Sequence, residues 1–344
     1  MSEGKQTADS FLPFEVNLLV TLRLDYRLLS IGLFLIMTGS FMAIASLTHT
    51  NGFQALKPGG DLFQEVELAI VFCALLTVAI ALQTAGHNLW KRELKALRDA
   101  LRPGFQDRLD PFESGLPVTW RKAYRVASLS GLAAGIALNC VIVSQASQPL
   151  SVITEPVGIW FLTLGPILFI LGARGLTDMS CQSRFVKDLI HEAADIDLAD
   201  LEKLQVFGRM GLHEALSWSL IAAVLILMLA AGISSGGVGV LGIGLLTIAL
   251  AIGGAVRSFW LAIQPVQRRI ASAKAEKLKA LRAGILKARE NVGDLIALEN
   301  WIASRPEWPI SAPISRRLLI YVALPLLAWA GAALVDRGVN ALIS

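Results

Sequence analysis

The stretch Ala215–Val256, ALSWSLIAAVLILMLAAGISSGGVGVLGIGLLTIALAIGGAV, runs for 42 residues without Asp, Glu, Lys or Arg. A hydrocarbon layer about 30 Å thick takes roughly 20 helical residues, so this run is long enough to cross it twice. Ser234, Ser235, Gly236 and Gly237 at its middle supply the turn chemistry that divides it into two spans. Further charge-free stretches lie at Leu28–Leu56, Leu68–Trp90, Val126–Thr154, Pro156–Ala173 and Leu318–Val335. Together they predict an all-α, polytopic transmembrane helix bundle of about seven spans, at 29–47, 68–87, 126–146, 157–173, 215–233, 238–256 and 318–335.

Composition supports this reading. Of 344 residues, 54% are hydrophobic and 17% charged, against roughly 25% charged in an ordinary soluble domain. A mean hydropathy of +0.59 requires more apolar cover than one globular core provides. Disorder, collagen and disulfide scaffolds are excluded by the same balance.

Orientation follows from Lys and Arg, which are retained in short cytoplasmic loops. There are 3 before the first span, 9 in 88–125, 5 in 174–214 and 12 in 257–317, which is 29 of 31; Lys57 and Arg337 remain on the other side. The N-terminus and long loops are expected to be cytoplasmic, in a multi-pass inner-membrane protein. Trp90, Trp120, Trp160, Trp218 and Trp260 fall at or just beyond span ends, as interfacial indoles do, with Trp329 deeper. Met1–Ser10 lacks a basic start, so the first span is read as a retained anchor.

The chain divides into an interfacial N-terminal segment (1–28), a first hairpin (29–87), a basic loop (88–125), a second hairpin (126–173), an acidic-rich loop (174–214), a third hairpin (215–256), a heptad-patterned region (257–317) and a last span with the C-terminus (318–344). The last span, with Pro325, has a re-entrant alternative. Phe11–Leu29 mixes apolar and charged residues, which fits an in-plane or a packing helix. LKALR recurs at Leu94–Arg98 and Leu278–Arg282, a match short enough to arise from composition.

Leu278, Leu281, Ile285, Val292 and Leu295, with Ala288 and Ile302, form a heptad stripe of amphipathic cytoplasmic helix, interrupted at Glu299. Gly284 and the cluster Asn291–Asp294 weaken a helix over 267–304, so one rod and a helical hairpin are both open. Oligomer or partner contact and local packing weigh equally on this stripe.

No HExxH, GxSxG or Walker lysine is present, and Gly237, Gly239 and Gly242 spell GxGxxG at a span entry rather than in a βαβ unit. Gly131 and Gly135 form a GxxxG suited to close helix packing. His191, Glu192, Asp195, Asp197 and Asp200 match no defined metal loop, and His213–Glu214 stands apart from them. Cys73, Cys140 and Cys181 build neither a CxxC pair nor a disulfide framework. No catalytic residue, metal site or cofactor is therefore assigned. Because none of the seven spans contains Asp, Glu, Lys or Arg, a buried carboxylate inside a span is absent, and Gln83 and Asn139 are the candidate pore-lining residues.

The leading expectation is a non-enzymatic homo-oligomeric scaffold or sensor acting through its cytoplasmic helices. An ion channel or passive facilitator is the alternative, and a membrane enzyme with a cytoplasmic metal site stands third. The expected partners are the lipid bilayer, further copies of the chain and a cytoplasmic protein. The basic excess follows from topology, so nucleic acid is not implied.

Overall fold

The structure, a computed structural model, describes residues 10–14, 16–17, 21, 25–48, 63–145, 153–233, 238–286, 292–308 and 312–343. Nine α-helices are described: α1 (Tyr26–Thr48), α2 (Phe63–Asp99), α3 (Asp110–Ser114), α4 (Arg121–Gln145), α5 (Pro156–Ala193), α6 (Gln205–Ile233), α7 (Val238–Ile285), α8 (Val292–Ser304) and α9 (Ala312–Ile343). The predicted apolar segments fall within seven of them, namely α1, α2, α4, α5, α6, α7 and α9. Among the described residues, four helical stretches are long and apolar enough to cross a membrane: Tyr26–Thr48, Leu68–Asp99, Val118–Val141 and Pro156–Ala193. Large apolar side chains on their outer faces, such as Leu35, Ile36, Leu129 and Ile136, are exposed, as contact with lipid tails requires.

Most of these helices outrun the hydrocarbon. At 1.5 Å per residue, the 37 residues of α2 extend about 55 Å and the 48 of α7 about 72 Å. The surplus is not loop. The extensions of α2, α5, α6 and α7 pack around the largest core, which includes Trp90 and Leu97 of α2, Leu189 and Ile190 of α5, Phe207 of α6 and Ile270 of α7. Smaller cores join α1, α2 and α5 around Phe41, Phe72 and Trp160, and α6, α7 and α9 around Ala215, Phe259 and Ile314.

Two of the expected interfacial tryptophans are buried within the bundle. Trp90 is buried and stacks on Phe112 at 4.8 Å, while Trp160 is buried and its indole N–H donates to Ser40 Oγ at 3.1 Å. Trp260 remains exposed. The basic segment 88–125 is largely an ordered layer: Arg98 bridges Asp110 and Glu113, Arg108 pairs with Glu192, and Leu101 is bridged to Ala194.

The N-terminal segment packs onto this layer. Strand β1 (Ser10–Phe11) pairs antiparallel with β2 (Leu116–Pro117), Pro13 and Val16 are buried, and Phe11 meets the Tyr124 ring edge-on at 5.5 Å. Gly115 makes the pairing possible, because a Cβ there would lie 2.6 Å from Phe11 O. The N-terminal segment thus lies on the same side of the bundle as the basic layer.

The heptad stripe is not one helix. α7 ends at Ile285 and α8 packs back on it, tied by Arg282–Glu299 at 2.7 Å and by Lys274 Nζ donating to Arg305 O at 2.9 Å. Leu278 and Leu281 pack against the largest core, which contains Ile302, while Ile285, Val292 and Leu295 are half-buried. The arginine of each LKALR segment pairs with acids of a following helix, Arg98 with α3 and Arg282 with α8.

Prolines interrupt neither α5 nor α9, so 318–335 contains no turn for a re-entrant loop. In α5, Pro166 has no N–H for the carbonyl of Leu162, and Asn139 Nδ2 donates to that oxygen at 2.7 Å. Gly131 and Gly135 bring α4 against the same helix: a Cβ at Gly135 would sit 2.5 Å from Pro166 Cα. Gly135→Val should lower stability by about 1–3 kcal/mol through overpacking. Asn139→Leu should cost about 1 kcal/mol through the unpaired carbonyl. Thermal unfolding in detergent checks both, and wild-type melting of either variant would contradict the contact it removes.

Candidate functional site

Three helices present polar residues at helical spacing to one gap. Gln83, Gly86, Trp90 and Glu93 share a face of α2, Gly172, Gly175, Met179 and Gln182 a face of α5, and Met210, His213, Glu214 and Ser217 a face of α6. They enclose a cavity of about 110 Å³, also lined by Asp178, just where the helices leave their apolar stretches. Gly172 and Gly175 contribute no side chain, which leaves the space open.

Three carboxylates surround it. Asp178 accepts from Tyr124 Oη at 2.6 Å through Oδ1 and from Gln182 Nε2 at 2.9 Å through Oδ2. Glu214 accepts the Ser183 hydroxyl at 2.9 and 3.0 Å. Glu93, whose side chain is only 11% exposed, is gripped by Arg209 through Nε at 3.2 Å and Nη2 at 2.6 Å. Burial pushes the Glu214 carboxyl up to about 7, with the Asp178 charge acting in the same direction and the Ser183 hydrogen bond opposing it. Burial holds the neighbouring His213 below the usual imidazole range.

A second cavity of about 20 Å³ adjoins the first, with Gln83, Trp90, Asp178 and Gln182 in both walls. Pro13 and Val16 of the N-terminal segment and Leu116 close it. His87 also lines it, and its buried Nε2 has no hydrogen-bond partner among the described residues.

Of the two residues read as pore-lining, Gln83 lines both cavities and donates Nε2 to Leu171 O at 2.9 Å. Asn139 lies in a different, open groove between α4 and α5, beside Pro166. The carboxylates Asp178 and Glu214 were not singled out as a site, because they stand just beyond the apolar runs; the readable signal was the pair His213–Glu214 with Ser217 one helical turn on.

The acidic cluster after α5 is used locally. Glu192 pairs with Arg108, Asp197 Oδ1 accepts from Ala199 N, and Asp200 pairs with Lys203, while His191 is exposed. Among the described residues no group of three or more His, Cys, Asp or Glu is arranged to hold a metal ion. Gly239 and Gly242 of the GxGxxG lie inside α7, and Gly237 lies outside the described residues. Cys73 is buried, Cys140 exposed and Cys181 half-buried, all free.

Comparison with protein-family models, with curated proteins and with solved structures gave no match.

A carboxyl raised from 4.5 to about 7 keeps its proton in the folded state where the unfolded chain has lost it. Its contribution to stability is complete below about pH 4.5 and is lost as pH rises through 7. Glu214→Gln removes this dependence. Melting curves between pH 5 and 8 should show wild type losing roughly 3 kcal/mol more than the variant. Parallel curves would contradict the burial of Glu214.

Proposed function

We propose that the protein is a multi-pass inner-membrane protein of about seven spans, N-terminus cytoplasmic, that acts as a channel or passive facilitator for a small polar solute. One observation carries this reading: ionisable groups inside a helix bundle are costly, and here three carboxylates converge on a cavity at the edge of the apolar layer. The cavity has room for about three waters or a solute of a few heavy atoms. The basic side of the bundle carries 29 of 31 Lys and Arg residues, which supports the orientation.

Purified protein in liposomes should give saturable flux of small solutes, under voltage or osmotic load, that empty liposomes lack. Gly175→Val fills the gap without a backbone clash, since an added Cβ meets only Gln83 Nε2 at 3.7 Å. The variant should reduce flux about tenfold. Silence of the wild type for ions and neutral solutes alike would overturn the reading.

The second reading is the homo-oligomeric scaffold, for which the α7–α8 hairpin supplies a specific feature. Its stripe is largely occupied within the chain, yet Leu286, Ile296 and Trp301 are exposed on the outer surface. Replacing Ile296 and Trp301 with Asp should convert an oligomer into monomer by light scattering in detergent. An unchanged mass would remove this support.

A further inference from the structure

We infer that the cavity between α2, α5 and α6 is a binding site for a small organic cation carrying N–H donors, of the class of ammonium and short alkylammonium ions. The inference rests on the facilitator reading above and specifies its solute.

The hydrogen-bond inventory of the wall carries the argument. An ionised carboxylate offers about four acceptor sites. Both oxygens of Glu214 share the single Ser183 hydroxyl, and Asp178 receives one bond on each oxygen, so both retain acceptor capacity. Part of the nearby donor capacity is already committed. Ser217 spends its only O–H on His213 O at 3.0 Å, and Gln83 and Gln182 direct their amide nitrogens to Leu171 O and Asp178. Glu93 has a bidentate cationic partner, Arg209. Above about pH 7, where the Glu214 carboxyl has lost its proton, the wall offers vacant carboxylate acceptors and negative charge.

An independent observation points the same way. His87 is 8% exposed, lines the adjoining cavity beside Asp178, and its Nε2 has no hydrogen-bond partner among the described residues. The remaining wall is apolar, with Leu82, Trp90, Met179 and Ile221, which suits a short alkyl group and an aromatic face near a cation. A bare alkali ion gains nothing from the aliphatic part of that surface. A quaternary ammonium ion brings these acceptors no N–H donor.

The experiment titrates methylammonium chloride into the full-length protein in detergent, by calorimetry and by tryptophan fluorescence. Acetamide, potassium and tetraethylammonium serve as the neutral, metallic and quaternary controls. Saturable methylammonium binding, at least tenfold tighter than every control, is expected. Glu214→Gln and Asp178→Asn should each weaken it tenfold or more while remaining monodisperse. Should either fail to fold, Gly175→Val tests the same cavity by occlusion. Nanodiscs with and without ethanolamine lipid separate the two sources of ammonium: competition by the lipid assigns the site to a headgroup, its absence to a free amine. No methylammonium binding, equal binding of acetamide or potassium, or full binding by folded charge variants would overturn the inference. Flux of neutral solutes without methylammonium binding overturns the cation site and leaves the facilitator standing; binding without any flux does the reverse.

Discussion

Helices α2, α5, α6 and α7 continue past the ends of their apolar stretches, and that continuity organises the rest of the molecule. A helix in hydrocarbon satisfies its backbone N–H and C=O groups internally. It can therefore leave the apolar layer unbroken, keeping its rotational phase. The spacing that turns Gln83 of α2 toward α5 also turns Trp90 and Glu93 the same way, one after another up the rod. Helices that carry long apolar stretches thus also build the largest core, and the cavity sits where their facing residues switch from apolar to ionisable.

Close packing of α4 on α5 brings the remaining part of the site into place. Gly131 and Gly135 allow the two backbones to touch, and Asn139 restores the acceptor bond that Pro166 removes from Leu162. Tyr124 lies seven and eleven residues before those glycines, hence on the same face of α4. Contact established deep in the apolar layer delivers its hydroxyl to Asp178 at 2.6 Å. A change at Pro166 or Gly135 would be felt at a carboxylate some three turns away, through rigid helices rather than through a loop.

The helices were legible because hydrocarbon imposes a length and a composition, and seven long helices contain the seven predicted segments. The GxxxG was legible because the absence of Cβ at two positions four apart has few other uses in such a helix. The polar extensions were not. Beyond Trp90 or Ala173 the sequence becomes ordinary amphipathic helix, and nothing local says whether such a helix packs on its neighbours or frays. The stripe Leu278–Ile302 shows the same limit, since a heptad pattern serves a partner helix and a self-hairpin equally; packing on the core resolved it inward. Glu214 stands one residue before the run that starts at Ala215 and Asp178 five residues after the run that ends at Ala173, where a charge in the sequence carries no sign of burial.

That placement has a physical logic. A carboxylate at the centre of a membrane costs about 2.5–3.5 kcal/mol or more, whereas one at the edge is desolvated by neighbouring helices while water remains within reach. Asp178 and Glu214 stand just past the charge-free runs, held by hydroxyls and an amide that orient them. The other flank is covered by the N-terminal segment, whose strand lies on Leu116–Pro117 and whose Phe11 rests on Tyr124, the residue bonded to Asp178. Cap, tyrosine and carboxylate form one continuous contact, so the order of the N-terminal segment and the position of the Asp178 charge depend on each other. Asp178 thus lines the cavity between α2, α5 and α6 on one flank and is bonded on the other to the tyrosine that the N-terminal segment covers.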